Sequence, residues 1–120
     1  MAEAPVTKAD VRAELRMWVK LFNLEEYHFT LKFDGVRSDN YATADVESDY
    51  LRAEICVNLS TLQDRRVLRR KLIHELLHVQ LAEYTHPAEV FAGKRKKILR
   101  TAEERLVTRM ERWEIWKAWD

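Results

Sequence analysis

Apolar residues first recur with helical spacing: Val11, Leu15, Trp18, Val19 and Phe22 form one stripe, as on an amphipathic helix. Thr7 and Asp10 stand where a capping box would open it. The period then shortens to two. Tyr27, Phe29, Leu31 and Phe33 alternate with His28, Thr30 and Lys32, which predicts a half-buried strand ended by the turn signal Asp34-Gly35. A second strand is expected over residues 42–47, with Ala42, Ala44 and Val46 on one face. A third shows Ala53, Ile55, Val57 and Leu59 on one face, with Glu54, Cys56 and Asn58 on the other. Short links between the three suggest an antiparallel meander.

From Ser60 onward the spacing is helical again. Ser60 with Gln63 is one candidate capping box and Asp64 an alternative cap. Leu68, Leu72, Leu76 and Leu77 carry this helix to about Tyr84. Pro87 limits it, because the residue before a proline is pushed out of the helical region. A last helix, starting near Pro87 or after Gly93, keeps apolar spacing through Leu99, Ala102, Leu106, Met110 and Trp113. The pattern predicts one α+β domain over residues 1–120. Its parts are an N-terminal helix, a three-stranded, mainly antiparallel sheet covered on one face by helices, a central helix and a long C-terminal helix.

Composition agrees with long helices. Only two Gly and two Pro occur in 120 residues, while 47% of residues are hydrophobic, enough for a core. The net charge of +1 creates no general demand for nucleic acid or an anionic membrane. Cys56 is the only cysteine, which excludes an internal disulfide and any multi-cysteine metal cluster. No stretch approaches the roughly 20 apolar residues of a membrane span. Residues 1–8 show no apolar signal-peptide core. A reducing cytoplasm is the expected setting.

The chemistry concentrates at His74-Glu75-Leu76-Leu77-His78. On a helix the two histidines lie one turn apart on one face, so both imidazoles can hold one Zn²⁺. Glu75 can then lie beside the metal without binding it and take a proton from a water whose acidity the metal has raised. That arrangement suits peptide-bond hydrolysis, where water must attack and the leaving amine must gain a proton. A catalytic zinc wants a third protein ligand. Leu99, Leu106, Val107 and Met110 lie within about 60° of Glu103 on the helical wheel. Glu103 thus sits in the apolar stripe, where a carboxylate is costly unless paired or metal-bound. Glu104 is turned about 100° away, toward solvent. Glu103 is the expected third ligand, with Glu104 and His86 as alternatives.

This order of helix, three strands, HELLH helix and helix with a glutamate pair resembles the small zincin-like metallopeptidases. It is most similar to compact, gluzincin-like proteins of phage and prophage genomes. The resemblance is carried by residues 24–33, 53–59, 71–78 and 103–107. It implies a zinc-dependent peptidase with His74, His78 and Glu103 as ligands and Glu75 as base. It also implies an extended peptide substrate lying along residues 53–59 or 42–47 at the cleft rim. The residue that stabilises the tetrahedral intermediate has no assured counterpart; His86, Tyr84, Tyr50 and Tyr41 are candidates by type. Two other readings stand beside the peptidase: a non-catalytic interaction protein that keeps the fold, and a DNA-associated protease. The last draws on the basic runs Arg65, Arg66, Arg69, Arg70, Lys71 and Lys94–Lys97 with Arg100, although such runs usually form a solvated helix face. Trp113, Trp116 and Trp119 predict packing against the N-terminal helix or, alternatively, a homodimer patch; the expected state is monomer or homodimer. Cys56 is expected to be a structural thiol.

Overall fold

A computed structural model describes residues 5–34, 41–62 and 64–112. The three C-terminal tryptophans, Gly35 and Gln63 lie outside these residues. The elements in chain order are α1 (Lys8–Leu21), β1 (His28–Lys32), β2 (Ala42–Glu47), β3 (Arg52–Val57), α2 (Arg65–Ala92) and α3 (Lys96–Glu111). Short 3₁₀ turns precede β3, α2 and α3. The chain is α+β, with the helix, three-stranded sheet, central helix and long C-terminal helix in the expected order. No described helix is long and apolar enough to cross a membrane.

The capping box at α1 is present in both directions: Asp10 N–H donates to Thr7 Oγ1 (3.2 Å) and Thr7 N–H to Asp10 Oδ2 (2.9 Å). Asp10 also accepts from Arg65 at 2.6 Å, so the cap ties α1 to the start of α2. The Thr7 amide and the Arg65 guanidinium hold the Asp10 carboxyl below its usual range.

The sheet order is β1-β3-β2, with β1 parallel and β2 antiparallel to β3. The sheet is therefore mixed, and the antiparallel meander is not formed. Burial explains the order. Ala53, Ile55 and Val57 of β3 are all buried, so the strand with the fullest apolar face takes the centre. β2 joins it through a tight connection in which Leu51 adopts a left-handed conformation (φ 52°). The longer link from β1 to β2 lets β2 lie on the far side of β3.

Asp64, the alternative cap, opens α2 by accepting from Val67 N–H at 2.9 Å. Ser60 instead lies in the preceding 3₁₀ turn, where Asn58 Oδ1 accepts from its backbone N–H. The expected stop near Tyr84 does not occur; α2 runs through Pro87 for 28 residues. Pro87 lacks the N–H that would reach the Glu83 carbonyl, but its ring fixes a φ close to helical values, and packing against α3 supports the segment. Tyr27, buried before β1, donates to Glu83 Oε1 at 3.2 Å and fastens the same part of α2. Burial and the Glu83 carboxylate push the Tyr27 phenol up to about 12. Gly93 ends the helix at φ 55°, ψ −118°, a conformation open chiefly to glycine.

The core joins Val11, Leu15 and Trp18 of α1, the inner face of β3, and Leu68, Leu72, Ile73, Leu76, Leu77 and Val79 of α2. From α3 it takes Val107, which is fully buried, whereas Leu106 is 43% exposed. The apolar stripe expected through Leu106 is thus rotated. The inward face centres on Val107, whose neighbours at three and four residues are Glu103, Glu104, Met110 and Glu111.

One buried polar contact joins α1 to α2. Glu14, 7% exposed, accepts from Trp18 Nε1 (3.0 Å) and from Arg69 Nε (3.2 Å) and Nη2 (2.9 Å). Removing one partner of such a pair strands a buried charge. Glu14→Ala is expected to destabilise the fold by about 3 kcal/mol, read as a lower urea midpoint at unchanged slope.

Candidate metal centre

The motif helix is anchored by Leu72, Ile73, Leu76 and Leu77, all nearly inaccessible. Burying them fixes the rotation of α2, so His74 and His78 emerge together toward α3. Their rings lie edge to face with centroids 5.1 Å apart. Each side chain is mostly covered, at 15% and 19% exposure.

Glutamates of α3 face every ring nitrogen of the pair. Glu104 spans both rings: Oε1 lies 2.9 Å from His74 Nε2 and Oε2 lies 2.9 Å from His78 Nε2. Glu103 Oε2 lies 3.0 Å from His78 Nδ1. Glu111 Oε1 lies 3.3 Å from His74 Nδ1. A neutral imidazole carries one N–H, and a carboxylate only accepts. Two neutral rings therefore offer two hydrogens to four carboxylate-facing nitrogens. A cation taken by the two Nε2 atoms and Glu104 resolves that mismatch and leaves each Nδ1–H for its own carboxylate. One donor atom from each of His74, His78 and Glu104 falls within 4.8 Å of the others, and the His₂Glu set suits Zn²⁺. The donor set fits the metal.

The placement distinguishes the two glutamates. Glu103, the expected third ligand, faces the Nδ1 side of His78, while Glu104, the alternative, faces both Nε2 atoms. Helical phase alone favoured Glu103 because it lies on the side chain row nearest the core. Glu104 is 55% exposed, yet it stands one turn before Val107 and reaches the histidines from the rim.

Glu75 lies between α2 and the sheet. Burial, then the nearby Glu104 and Glu111 carboxylates, push its carboxyl up to about 8, while Lys71 and a hydrogen bond from the Ala44 amide act in the opposite direction. That amide is on the outer side of β2, away from β3. Asn58 N–H donates to Tyr41 C=O, and the alternation of an antiparallel ladder turns the backbone of Ala42, Ala44 and Val46 away from β3.

A cleft of about 460 Å³ joins these groups. Ala42–Val46 of β2 form one wall; His74, Glu75, His78 and His86 of α2, with Glu103 and Glu104 of α3, form the rest. Of the two strands named for the rim, β2 lines the cleft and β3 is central in the sheet. Among the candidates for stabilising an intermediate, His86 lines the cleft. Tyr84 and Tyr50 are 71% and 70% exposed and stand outside its lining. Tyr41 lies against Lys71, whose Nζ is 4.9 Å from the ring centroid.

Three residues of the basic runs are tied into the fold by ion pairs, while Arg66, Arg70 and residues 94–97 are exposed. Arg65 pairs with Asp10, Arg69 with Glu14, and Arg100 with Glu89. Residues 66 and 92 are separated by about 39 Å along α2 at 1.5 Å per residue, so the two runs do not form one face. Cys56 is half-buried, and burial with the nearby Glu54 carboxylate raises its thiol above the ordinary value.

Sequence reasoning missed Glu111, although its spacing of seven from Glu104 puts both on one face of α3. Comparison of the chain with protein-family models, curated proteins and solved structures finds no match. Saturating Zn²⁺ is expected to raise the thermal midpoint of chelator-treated protein. The stabilisation reaches about 2.7 kcal/mol at a free concentration one hundred times Kd. Alanine at either His74 or His78 abolishes the increase.

Proposed function

We propose that this chain is a zinc-dependent peptidase of the small zincin-like kind, with His74, His78 and Glu104 as metal ligands and Glu75 as general base. The observation that carries the reading is the convergence of both Nε2 atoms on one carboxylate, beside Glu75 and the outer edge of β2. Zn²⁺ bound there would supply a Lewis acid that polarises a carbonyl and makes water more acidic.

The chain's own residues do the rest. Glu75, held by the Ala44 amide, takes the proton from the attacking water and returns it to the departing amine. Glu103 accepts from His78 Nδ1 and keeps that ring in the tautomer whose Nε2 is a ligand. Outward backbone groups at Ala42 and Val46, with the Ala44 carbonyl, can receive an extended peptide as an added strand while the Ala44 amide holds Glu75. Such a substrate would lie beside the histidines with its backbone, rather than its side chains, supplying most of the hydrogen bonds.

The test starts with metal analysis of protein purified without chelator, followed by assay against casein and a quenched peptide library. About one zinc per chain with cleavage is expected, as a single three-ligand site requires. Glu75→Gln retains zinc and loses at least about 100-fold in turnover. Glu104→Ala loses zinc, whereas Glu103→Ala keeps it with about 10–100-fold lower affinity. Zinc without cleavage by the wild-type chain would sink the peptidase reading; zinc retained by Glu104→Ala would return the third-ligand role to Glu103 or His86.

A further inference from the structure

We infer that Glu111 is a positioning residue for the metal centre, holding His74 through Nδ1 so that Nε2 is presented as a ligand. The inference rests on the metal-centre reading above and extends it to a residue at the last turn of α3, 37 positions from the His74 it serves (111 against 74).

Three observations carry it. The Glu111 side chain is only 7% exposed, unusual for a glutamate at a helix end, and its Oε1 is 3.3 Å from His74 Nδ1. Among the described residues, His74 Nδ1 and Glu111 Oε2 are both buried without a hydrogen-bond partner. An orphaned buried polar atom is costly. Glu111 Oε1 is the carboxylate oxygen nearest His74 Nδ1, and a slight turn of the ring, which is presently drawn to Glu104 through Nε2, aligns the two as partners. The third is symmetry of roles: His78 already has Glu103 at its Nδ1 at 3.0 Å. Glu111 completes the set, so each imidazole has one carboxylate behind it and a shared one in front. A carboxylate behind a ligating imidazole fixes its tautomer and orientation and raises its basicity. For packing alone an apolar side chain of similar volume would serve better at position 111, and the group the buried carboxylate can pair with is His74.

Cobalt(II) is the probe, because its visible absorption reports ligand geometry independently of hydrolysis. Affinity is read by competition with a chelator, and fold stability by the thermal midpoint of the metal-free protein. Glu111→Leu keeps the volume and removes the acceptor. It is expected to weaken cobalt binding about 10–100-fold and to change the visible spectrum, with a metal-free midpoint equal to or above wild type. Glu111→Gln, whose amide oxygen still accepts from Nδ1, retains most of the affinity. Wild-type affinity and spectrum in Glu111→Leu would overturn the inference. So would a metal-free midpoint lowered equally in both variants with affinity unchanged, which is the pattern of a structural role. A wild-type chain that takes up no cobalt overturns the metal centre and this inference together. Cobalt uptake that weakens in Glu111→Leu, in a chain that cleaves nothing, supports the positioning role while sinking the peptidase.

Discussion

The rotation of α2 about its own axis governs everything that follows in this molecule. Leu68, Leu72, Ile73, Leu76 and Val79 are at most 2% exposed, and burying them against α1 and β3 leaves the helix one orientation. A turn of one residue, about 100°, would bring leucines into the cleft and histidines into the core. Glu14 reinforces the orientation, because Arg69 can bind it bidentately only with the same face inward. The site is thus held by contacts that contain none of its chemistry.

The second consequence falls on α3. This helix docks through fully buried Val107 and partly buried Met110, and its inward face also carries Glu103, Glu104 and Glu111. The covered carboxylates of Glu103 and Glu111 oppose docking unless something pairs with them. The two imidazoles of α2 provide that pairing, so the most covered polar contact described between the two long helices is the candidate centre itself, with Arg100–Glu89 a more exposed one beside it. A cation held there would join the helices as well as supply chemistry, which links the proposed function to the stability of the hairpin.

Much of this was legible from residue order. The capping box at Thr7, the stripe of α1, the three strands and the pairing of His74 with His78 all depend on neighbours within a few positions, which periodicity reports directly. Pro87 misled because its local penalty was outweighed by tertiary contacts along a 28-residue helix. The sheet order misled because short links suggest sequential pairing, whereas the inner face of β3 takes the central place. Leu106 and Val107 are adjacent apolar residues, and spacing cannot say which is inward. That ambiguity moved the expected stripe by one position, and with it the choice between Glu103 and Glu104.

By itself, the sequence determined most element types and the motif face of α2, since each follows from local spacing. Only the tertiary structure decided which glutamate meets which ring nitrogen, that Glu111 comes to lie behind His74, and that β2 rather than β3 borders the cleft. Those outcomes depend on how two helices and a sheet are rotated and displaced against each other. Such relations are set by the summed packing of residues distant in the chain, and no window along it contains them.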